Sequence, residues 1–149
     1  MISRTFVMIK PNAVKAGLIG QIIHFYELAR LKVVGIKIVK MTSEKAGLFY
    51  KVHKERRFFP ELTKSMSSGP SVLIVLEGEN AVSIARQLNG ATDPAEALPG
   101  TIRYIFADNK AENVVHSSDS LENAMEEISF WFSPEEIVVQ QFSPDFRVE

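Results

Sequence analysis

Short apolar runs along the chain predict three β-strands. They cover residues 5–10, 32–41 and 71–76, and each contains valine and isoleucine. Strands that are apolar on both of their sides are typical of a sheet that is buried on both faces. Pro11-Asn12 ends the first run and Glu77-Gly78 ends the third, because such pairs are typical of turns.

A helical period joins these strands, since apolar residues recur there three or four positions apart. It predicts a helix over residues 18–30 and another from Asn80 to the stop signal Asn89-Gly90. A last amphipathic helix starts at Leu121, after serines and an aspartate that suit an N-cap, and ends at Ser133-Pro134.

Two shorter helices are predicted between the second and third strands. Residues 42–43 can cap the first, and Pro60 suits the opening position of the second, which continues to about residue 67. Residues 43–68 therefore form a helical hairpin. The aromatic pair Phe58-Phe59, beside two arginines, has two interpretations: half-buried core, which composition alone favours, or a stack on a planar ring beside a phosphate.

Two further stretches lack a clear period. Residues 91–111 contain Pro94, Pro99 and Gly100, so they predict a long ordered loop, which in a compact domain tends to be functional. The segment after the last helix carries an apolar load that needs burial against this subunit or another. Its apolar residues are Ile137, Val138, Val139, Phe142 and Phe146.

The composition limits what these elements can build. With 149 residues and 46% hydrophobic content, the chain suits a single domain over residues 1–149. Basic and acidic residues nearly balance, 17 against 18, so no overall field favours nucleic acid or an anionic membrane. There is no cysteine, no signal-like N-terminus and no apolar run of about 20 residues, so we expect a soluble, cytoplasmic protein.

The stretch over residues 113–120, Asn-Val-Val-His-Ser-Ser-Asp-Ser, is the strongest candidate for chemistry. Its valines end a fourth apolar run, so His116 lies where a strand leads into the last helix, and a helix N-terminus suits phosphate. A lone histidine at such a border is more often structural or solvated. The chain has no Walker-type loop, no histidine pair at metal-ligand spacing and no Gly-x-Ser-x-Gly.

His116 therefore remains as a nucleophile, because a neutral imidazole is available at pH 7. Glu127 is a candidate for the carboxylate that would fix its tautomer, although it is otherwise an ordinary solvated helix residue. Any phosphate must be held by side chains. Lys10, Arg56, Arg86 and Arg103 each stand near the end of a predicted element, from which they could turn into a shared cleft.

Residues 113–120 resemble the active-site signature of the nucleoside diphosphate kinases, Asn-x-x-His-Gly-Ser-Asp, and the resemblance extends over nearly the whole chain. The matching segments are Thr5-Phe-Val-Met-Ile-Lys-Pro11, the stretch from Arg56 to Leu62, Ser68-Gly-Pro70, Gly90-Ala-Thr92 with Pro94, Pro99-Gly-Thr-Ile-Arg103, and Trp131-Phe with Pro134-Glu-Glu. The similarity implies an α+β fold: a ferredoxin-like α/β sandwich with a four-stranded antiparallel sheet covered by helices. The inserted helical hairpin and the long loop would frame a nucleotide cleft.

The resemblance also implies an activity. The γ-phosphate of a nucleoside triphosphate, mainly ATP, would pass to a nucleoside diphosphate in a ping-pong reaction that maintains NTP and dNTP pools. His116 would carry it as pros-phosphohistidine, positioned by Ser118 and Glu127. The nucleotide would be bound by Lys10, Tyr50, Phe58, Leu62, Arg86, Thr92, Arg103 and Asn113. Mg²⁺ would be carried by the phosphates and not by protein ligands.

Members of the family form tetramers or hexamers, and the long C-terminal segment favours a hexamer here. Three positions depart from the family pattern: Ser117 replaces the usual glycine, Arg57 replaces a common proline, and Lys110 replaces a small apolar residue near the base. If position 117 needs a positive φ, serine would cost roughly 1 kcal/mol. The alternative is a nucleotide- or nucleic-acid-binding module without turnover, and the charge balance disfavours it for RNA.

Overall fold

A computed structural model describes residues 1–51 and 59–139, and four strands in these ranges form one antiparallel sheet. The strands are β1 (Ile2–Ile9), β2 (Lys32–Val39), β3 (Ser71–Glu79) and β4 (Val115–Ser117), in the spatial order β2-β3-β1-β4. Helices cover both faces of this sheet, which confirms the α+β sandwich predicted from the sequence.

The described ranges also contain seven α-helices. They are α1 (Pro11–Lys15), α2 (Ile19–Leu28), α3 (Ser43–Phe49), α4 (Phe59–Met66), α5 (Ala81–Asn89), α6 (Ile102–Phe106) and α7 (Leu121–Trp131). Short 3₁₀ turns lie at Pro94–Glu96 and Pro134–Glu136. The helices of the predicted hairpin, α3 and α4, pack against each other.

The alternation of side chains along β1 divides the interior into two cores. Val7 and Ile9 face the core that contains α2 and α5, whereas Phe6 and Met8 face the core under α3 and α7. All four side chains are fully buried. This explains why the strands are apolar on both sides, as the sequence predicts for a sheet with two covered faces.

The structure differs from the prediction at two short helices and at the end of β3. Helix α1 was not predicted, and helix α6 lies inside the predicted loop 91–111, because a five-residue helix is too short to show an apolar period. Strand β3 also continues through Glu77-Gly78 to Glu79. At Gly78 a Cβ atom would come within 2.8 Å of Leu31 Cδ2, so this glycine permits close packing and does not end the strand.

The C-terminal segment folds back onto its own subunit up to residue 139. Ile137 packs against the core under α3 and α7, and the Val138 N–H donates to Val34 O at 2.8 Å. Val139 is 82% exposed. Phe142 and Phe146 lie outside the described residues. No helix within the described ranges is long and apolar enough to cross a membrane.

Candidate active site

The turn that leads into β4 is strained. Val114 has φ = 66°, a left-handed conformation that β-branched residues rarely adopt. Three hydrogen bonds hold it there: the Lys10 N–H donates to Val114 O at 2.8 Å, and Arg103 donates from Nε to Asn113 O at 3.3 Å and from Nη2 to Val115 O at 2.8 Å. The surrounding structure therefore fixes the backbone immediately before His116.

Arg103 is also tied to the end of α5, because its Nη1 donates to Gly90 O at 2.8 Å. Gly90 has φ = 83°, and a Cβ atom there would lie 2.4 Å from Thr101 Oγ1, so the position requires glycine. Burial, partly opposed by Tyr26 and reinforced by the charge of Arg86, lowers the pKa of Arg103 to about 10. Arg103 therefore remains cationic at neutral pH.

Lys10 lies just beyond the end of β1 and is buried. Its Nζ donates to Asn113 Oδ1 at 2.8 Å, and Asn113 Nδ2 donates to Thr92 O at 3.1 Å. Burial, with the charge of Arg103, lowers the pKa of Lys10 to about 8. These contacts bring together Lys10, Thr92, Arg103 and Asn113, four of the residues that the resemblance assigns to nucleotide binding.

A cleft of about 680 Å³ opens beside this cluster, between the end of α5 and the loop before α6. Its polar lining comes from Arg86, Gln87, Thr92, Glu96, Thr101, Arg103 and Ser117. We call it the arginine cleft. Two guanidinium groups and several hydroxyls converge on it, which is the donor chemistry that phosphate groups require.

His116 lies in β4, opposite Met8 of β1. Its Nε2 is 2.5 Å from Glu127 Oε1, and the Ser118 hydroxyl donates to Glu127 Oε2. An ionised carboxylate can only accept hydrogen bonds, so Nε2 carries the proton and Nδ1 keeps its lone pair. The structure therefore brings together His116, Ser118 and Glu127, the three residues that the resemblance assigns to the catalytic group.

Aromatic rings surround the imidazole on the side of α3. The ring centroids of Phe49 and Tyr50 lie 5.4 and 5.8 Å from that of His116, both edge to face, and that of Phe6 lies 6.1 Å away. Burial raises the pKa of the Tyr50 hydroxyl, and Glu127 raises it further, so it stays neutral. No sequence pattern indicates that Phe49 lies here, because its spacing is that of an ordinary helix residue.

The structure describes one of the two residues that are expected to contact the base. Leu62 is half-buried on α4 and packs against the core under α3 and α7. Phe58 lies outside the described residues, together with Arg56 and Arg57. Among the described residues, no group of three or more histidines, aspartates and glutamates could hold a metal ion.

Ser117 is not strained by its departure from glycine. It lies in β4, and the non-glycine residues with positive φ in the described ranges are Arg30, Asn80 and Val114. The cost of roughly 1 kcal/mol that a positive φ would carry therefore does not arise. Instead, Ser117 Oγ accepts a hydrogen bond of 2.9 Å from Asn89 Nδ2, a contact that glycine could not make.

Comparison with known proteins gives the same assignment as the geometry. The family model described as nucleoside diphosphate kinase matches residues 3–137. A nucleoside diphosphate kinase from Prosthecochloris aestuarii is 53% identical over 135 residues, which cover 91% of this chain and 96% of that protein. One from Sulfurisphaera tokodaii is 51% identical over 137 residues, with 92% and 93% covered.

A solved structure agrees over the whole fold. The nucleoside diphosphate kinase of Aquifex aeolicus superimposes with a TM-score of 0.90 and is 44% identical, covering 93% of this chain and all of that one. Residues 3–137, which the family model matches, include the residues 113–120 that carry the histidine. This chain belongs to the nucleoside diphosphate kinase family.

Proposed function

We propose that this chain transfers the γ-phosphate of a nucleoside triphosphate, mainly ATP, to a nucleoside diphosphate through His116. The observation that carries the proposal is the pairing of His116 Nε2 with Glu127 Oε1, next in sequence to a serine that lines the arginine cleft. It leaves Nδ1 as the ring nitrogen with a lone pair. That atom is the one phosphorylated in a pros-phosphohistidine.

In the first half-reaction, the Nδ1 lone pair forms a bond to the γ-phosphorus. The bond from that phosphorus to the bridging oxygen breaks, and the nucleoside diphosphate leaves with the electron pair. The imidazole then carries a positive charge, which the Glu127 carboxylate stabilises through Nε2–H. A second nucleoside diphosphate reverses these steps, so the reaction is ping-pong and serves to maintain NTP and dNTP pools.

The remaining residues hold the nucleotide. Arg86 and Arg103 bind phosphate oxygens in the arginine cleft, and Lys10 adds a third positive charge beside Asn113. Thr92 contributes from the rim of the same cleft. Tyr50 lies against His116 and supplies a neutral hydroxyl.

Base recognition in this proposal is by stacking. Phe58 stacks on the base with Leu62 beside it, and because every base has a π-face, stacking accepts all of them. Kinases of this family typically use Mg²⁺ with their nucleotides. Two cationic side chains and several neutral donors line the arginine cleft, so they suit phosphate oxygens, and Mg²⁺ is carried by the phosphates, where it neutralises their charge.

We further propose that residues 1–149 form one domain, that it acts in the cytoplasm, and that it assembles into a homo-oligomer, a hexamer rather than a tetramer. Two separate apolar surfaces support the assembly. Ile36 and Ile38 are exposed on β2, an edge strand, and Leu98, Tyr104 and Ile105 are exposed around α6. Dihedral oligomers need at least two different interfaces, which two such surfaces can supply.

The experiment that tests the function is a coupled assay for ATP formed from GTP and ADP. Active turnover, with one acid-labile and alkali-stable phosphate per chain after incubation with ATP and Mg²⁺, is the expected result. His116→Ala should lose the turnover, measured by the coupled assay, and the bound phosphate, measured by intact mass. A label that persists in His116→Ala would place the nucleophile elsewhere, and binding of ADP without turnover would favour the alternative of a nucleotide-binding module.

A further inference from the structure

A buried chain of hydrogen bonds runs from the core to the arginine cleft. On α2, the Tyr26 hydroxyl donates to Asn89 Oδ1 at 2.5 Å, and Asn89 Nδ2 donates to Ser117 Oγ at 2.9 Å. Tyr26 and Asn89 are fully buried, and Ser117 is 8% exposed. Ser117 is the member of this chain that lines the cleft.

The direction of these hydrogen bonds is fixed at the buried end. Burial raises the pKa of Tyr26, so its hydroxyl keeps a proton that must be donated. In the part of the chain that the structure describes, Asn89 Oδ1 is the acceptor for that proton. Turning the Asn89 amide over would leave the proton without an acceptor in the core, which is the costly arrangement.

It follows that the amide of Asn89 faces Ser117 and that Ser117 Oγ is an acceptor in this bond. A serine hydroxyl also has one proton to donate. Within the described ranges, Ser117 Oγ donates to no side chain or backbone oxygen. The proton is therefore left for a group outside the protein, and the side chain lines a cleft that also contains Arg86, Thr92 and Arg103.

We propose that Ser117 is a phosphate-binding residue, whose hydroxyl donates a hydrogen bond to a phosphate oxygen of the bound nucleotide. The inference rests on the proposed function, because it takes the arginine cleft as the nucleotide site. Glycine, the usual residue at this position in the family, offers no hydroxyl. Tyr26 and Asn89 are positioning residues in this proposal, since they act on the nucleotide only through Ser117.

The first test compares ADP with adenosine, which has the same base and sugar but no phosphate. Ser117→Ala should weaken ADP binding about tenfold, the usual effect of losing a hydrogen bond to a charged group, and leave adenosine binding unchanged. Calorimetry measures the dissociation constant of ADP, and competition with ADP measures that of adenosine. Ser83→Ala, on the exposed side of α5, is the matched control and should change neither value.

A second test examines the positioning role by a double-mutant cycle. Tyr26→Phe removes the donor that fixes Asn89, so the Asn89 amide can turn and take the Ser117 proton for itself. We expect this variant to weaken ADP binding although Ser117 is intact, and the double variant Tyr26→Phe/Ser117→Ala to bind ADP no more weakly than Ser117→Ala alone. Additive losses would overturn the positioning role.

The outcomes separate this inference from the proposed function. Unchanged ADP affinity in Ser117→Ala, or an equal loss for ADP and adenosine, overturns the phosphate contact even if the wild-type chain turns over GTP and ADP. If Ser117→Ala does not fold, Ser117→Gly also lacks the hydroxyl and has the residue usual in the family, so the same comparison applies to it. Absence of turnover in the wild type contradicts the proposed function instead.

Discussion

Lys10 is a buried lysine that we expect to titrate close to physiological pH. Burial and the Arg103 charge lower its pKa to about 8, and only the protonated form can pair with a phosphate. The dissociation constant for ADP should therefore rise about tenfold between pH 7 and pH 9, because the binding-competent form becomes the minor one. Calorimetric titrations across this range measure the change.

Lys10→Arg is the control for this pH dependence, since a guanidinium is far more basic than an ammonium and keeps its proton between pH 7 and pH 9. A flat pH profile in the wild type would contradict the assignment of Lys10.

The lowered pKa of Lys10 also affects the stability of the fold. The unfolded chain holds the Lys10 proton up to its ordinary pKa of 10.5, so between pH 8 and 10.5 it binds more protons than the folded chain, and the Lys10 contribution to the free energy of unfolding rises with pH.

In the proposed mechanism, the charge of the Glu127 carboxylate stabilises the phosphohistidine. Glu127→Gln keeps the size of the side chain but removes the negative charge opposite Nε2, so phosphoenzyme formation should slow by about 100-fold or more. Quenched-flow measurement of the phosphorylated chain gives this rate. Glu126→Gln, exposed on the same helix, is the matched control, and an equal rate in both variants would leave Glu127 without the proposed role.

At the scale of elements, the junction between α5 and α6 depends on Gly90. Gly90→Ala should lower the free energy of unfolding by about 2 kcal/mol or more, because it combines a positive φ with a contact of 2.4 Å to Thr101 Oγ1. Gly100→Ala separates the two causes: Gly100 has φ = 89° but open space around a Cβ, so only about 1 kcal/mol is expected. Urea denaturation measures both, and equal values would exclude the Thr101 contact as a cause.

The sequence predicts the long elements and the short ones that a cap or a motif marks, but it misses the five-residue helices α1 and α6, for physical reasons. Strands β1, β2 and β3 and helices α2, α5 and α7 have eight or more residues, which is enough for a period to appear. Helix α6 has five residues, and its Thr101 cap accepts from the Tyr104 N–H without any pattern to indicate it. An element of this length is defined by its packing, which a sequence pattern does not record.

Residues of the candidate site also fall into those that a sequence pattern indicates and those that it does not. The motif over residues 113–120 indicates His116, because the spacing of residue types is local. The partners that hold the site are distant: Lys10 and Asn113 are 103 positions apart, and Tyr26 and Asn89 are 63 apart. No periodicity in one sequence connects such positions. The hydrogen bonds from Tyr26 through Asn89 to Ser117, and the ring of Phe49 beside His116, are therefore seen only in the folded chain.

At the scale of the whole molecule, the C-terminal segment links folding to assembly. Deleting the residues after Pro134 should lower the melting temperature and dissociate the oligomer together, because it removes Ile137 from the core and the Val138 bond to β2. Light scattering and thermal unfolding measure the two effects. Deleting only residues 140–149 keeps both contacts and is the matched control.

For the assembly itself, light scattering of the intact chain at micromolar concentration should report six subunits. A monomer would overturn the proposed oligomer, and a tetramer would overturn only its stoichiometry. Val139 is exposed within one subunit, as are Ile36 and Ile38 on the neighbouring edge strand, so a shared apolar surface is available for a second copy.

The strand order has a consequence for the order in which the chain becomes active during synthesis. β1 leaves the ribosome first, yet its two neighbours in the sheet are β3 and β4, and β4 begins only at Val115. The four fully buried apolar side chains of β1 therefore lack their sheet partners until much later in synthesis. On the proposed mechanism, the nascent chain is inactive until Glu127 has been added, and the apolar side chains of β1 are open to aggregation until then.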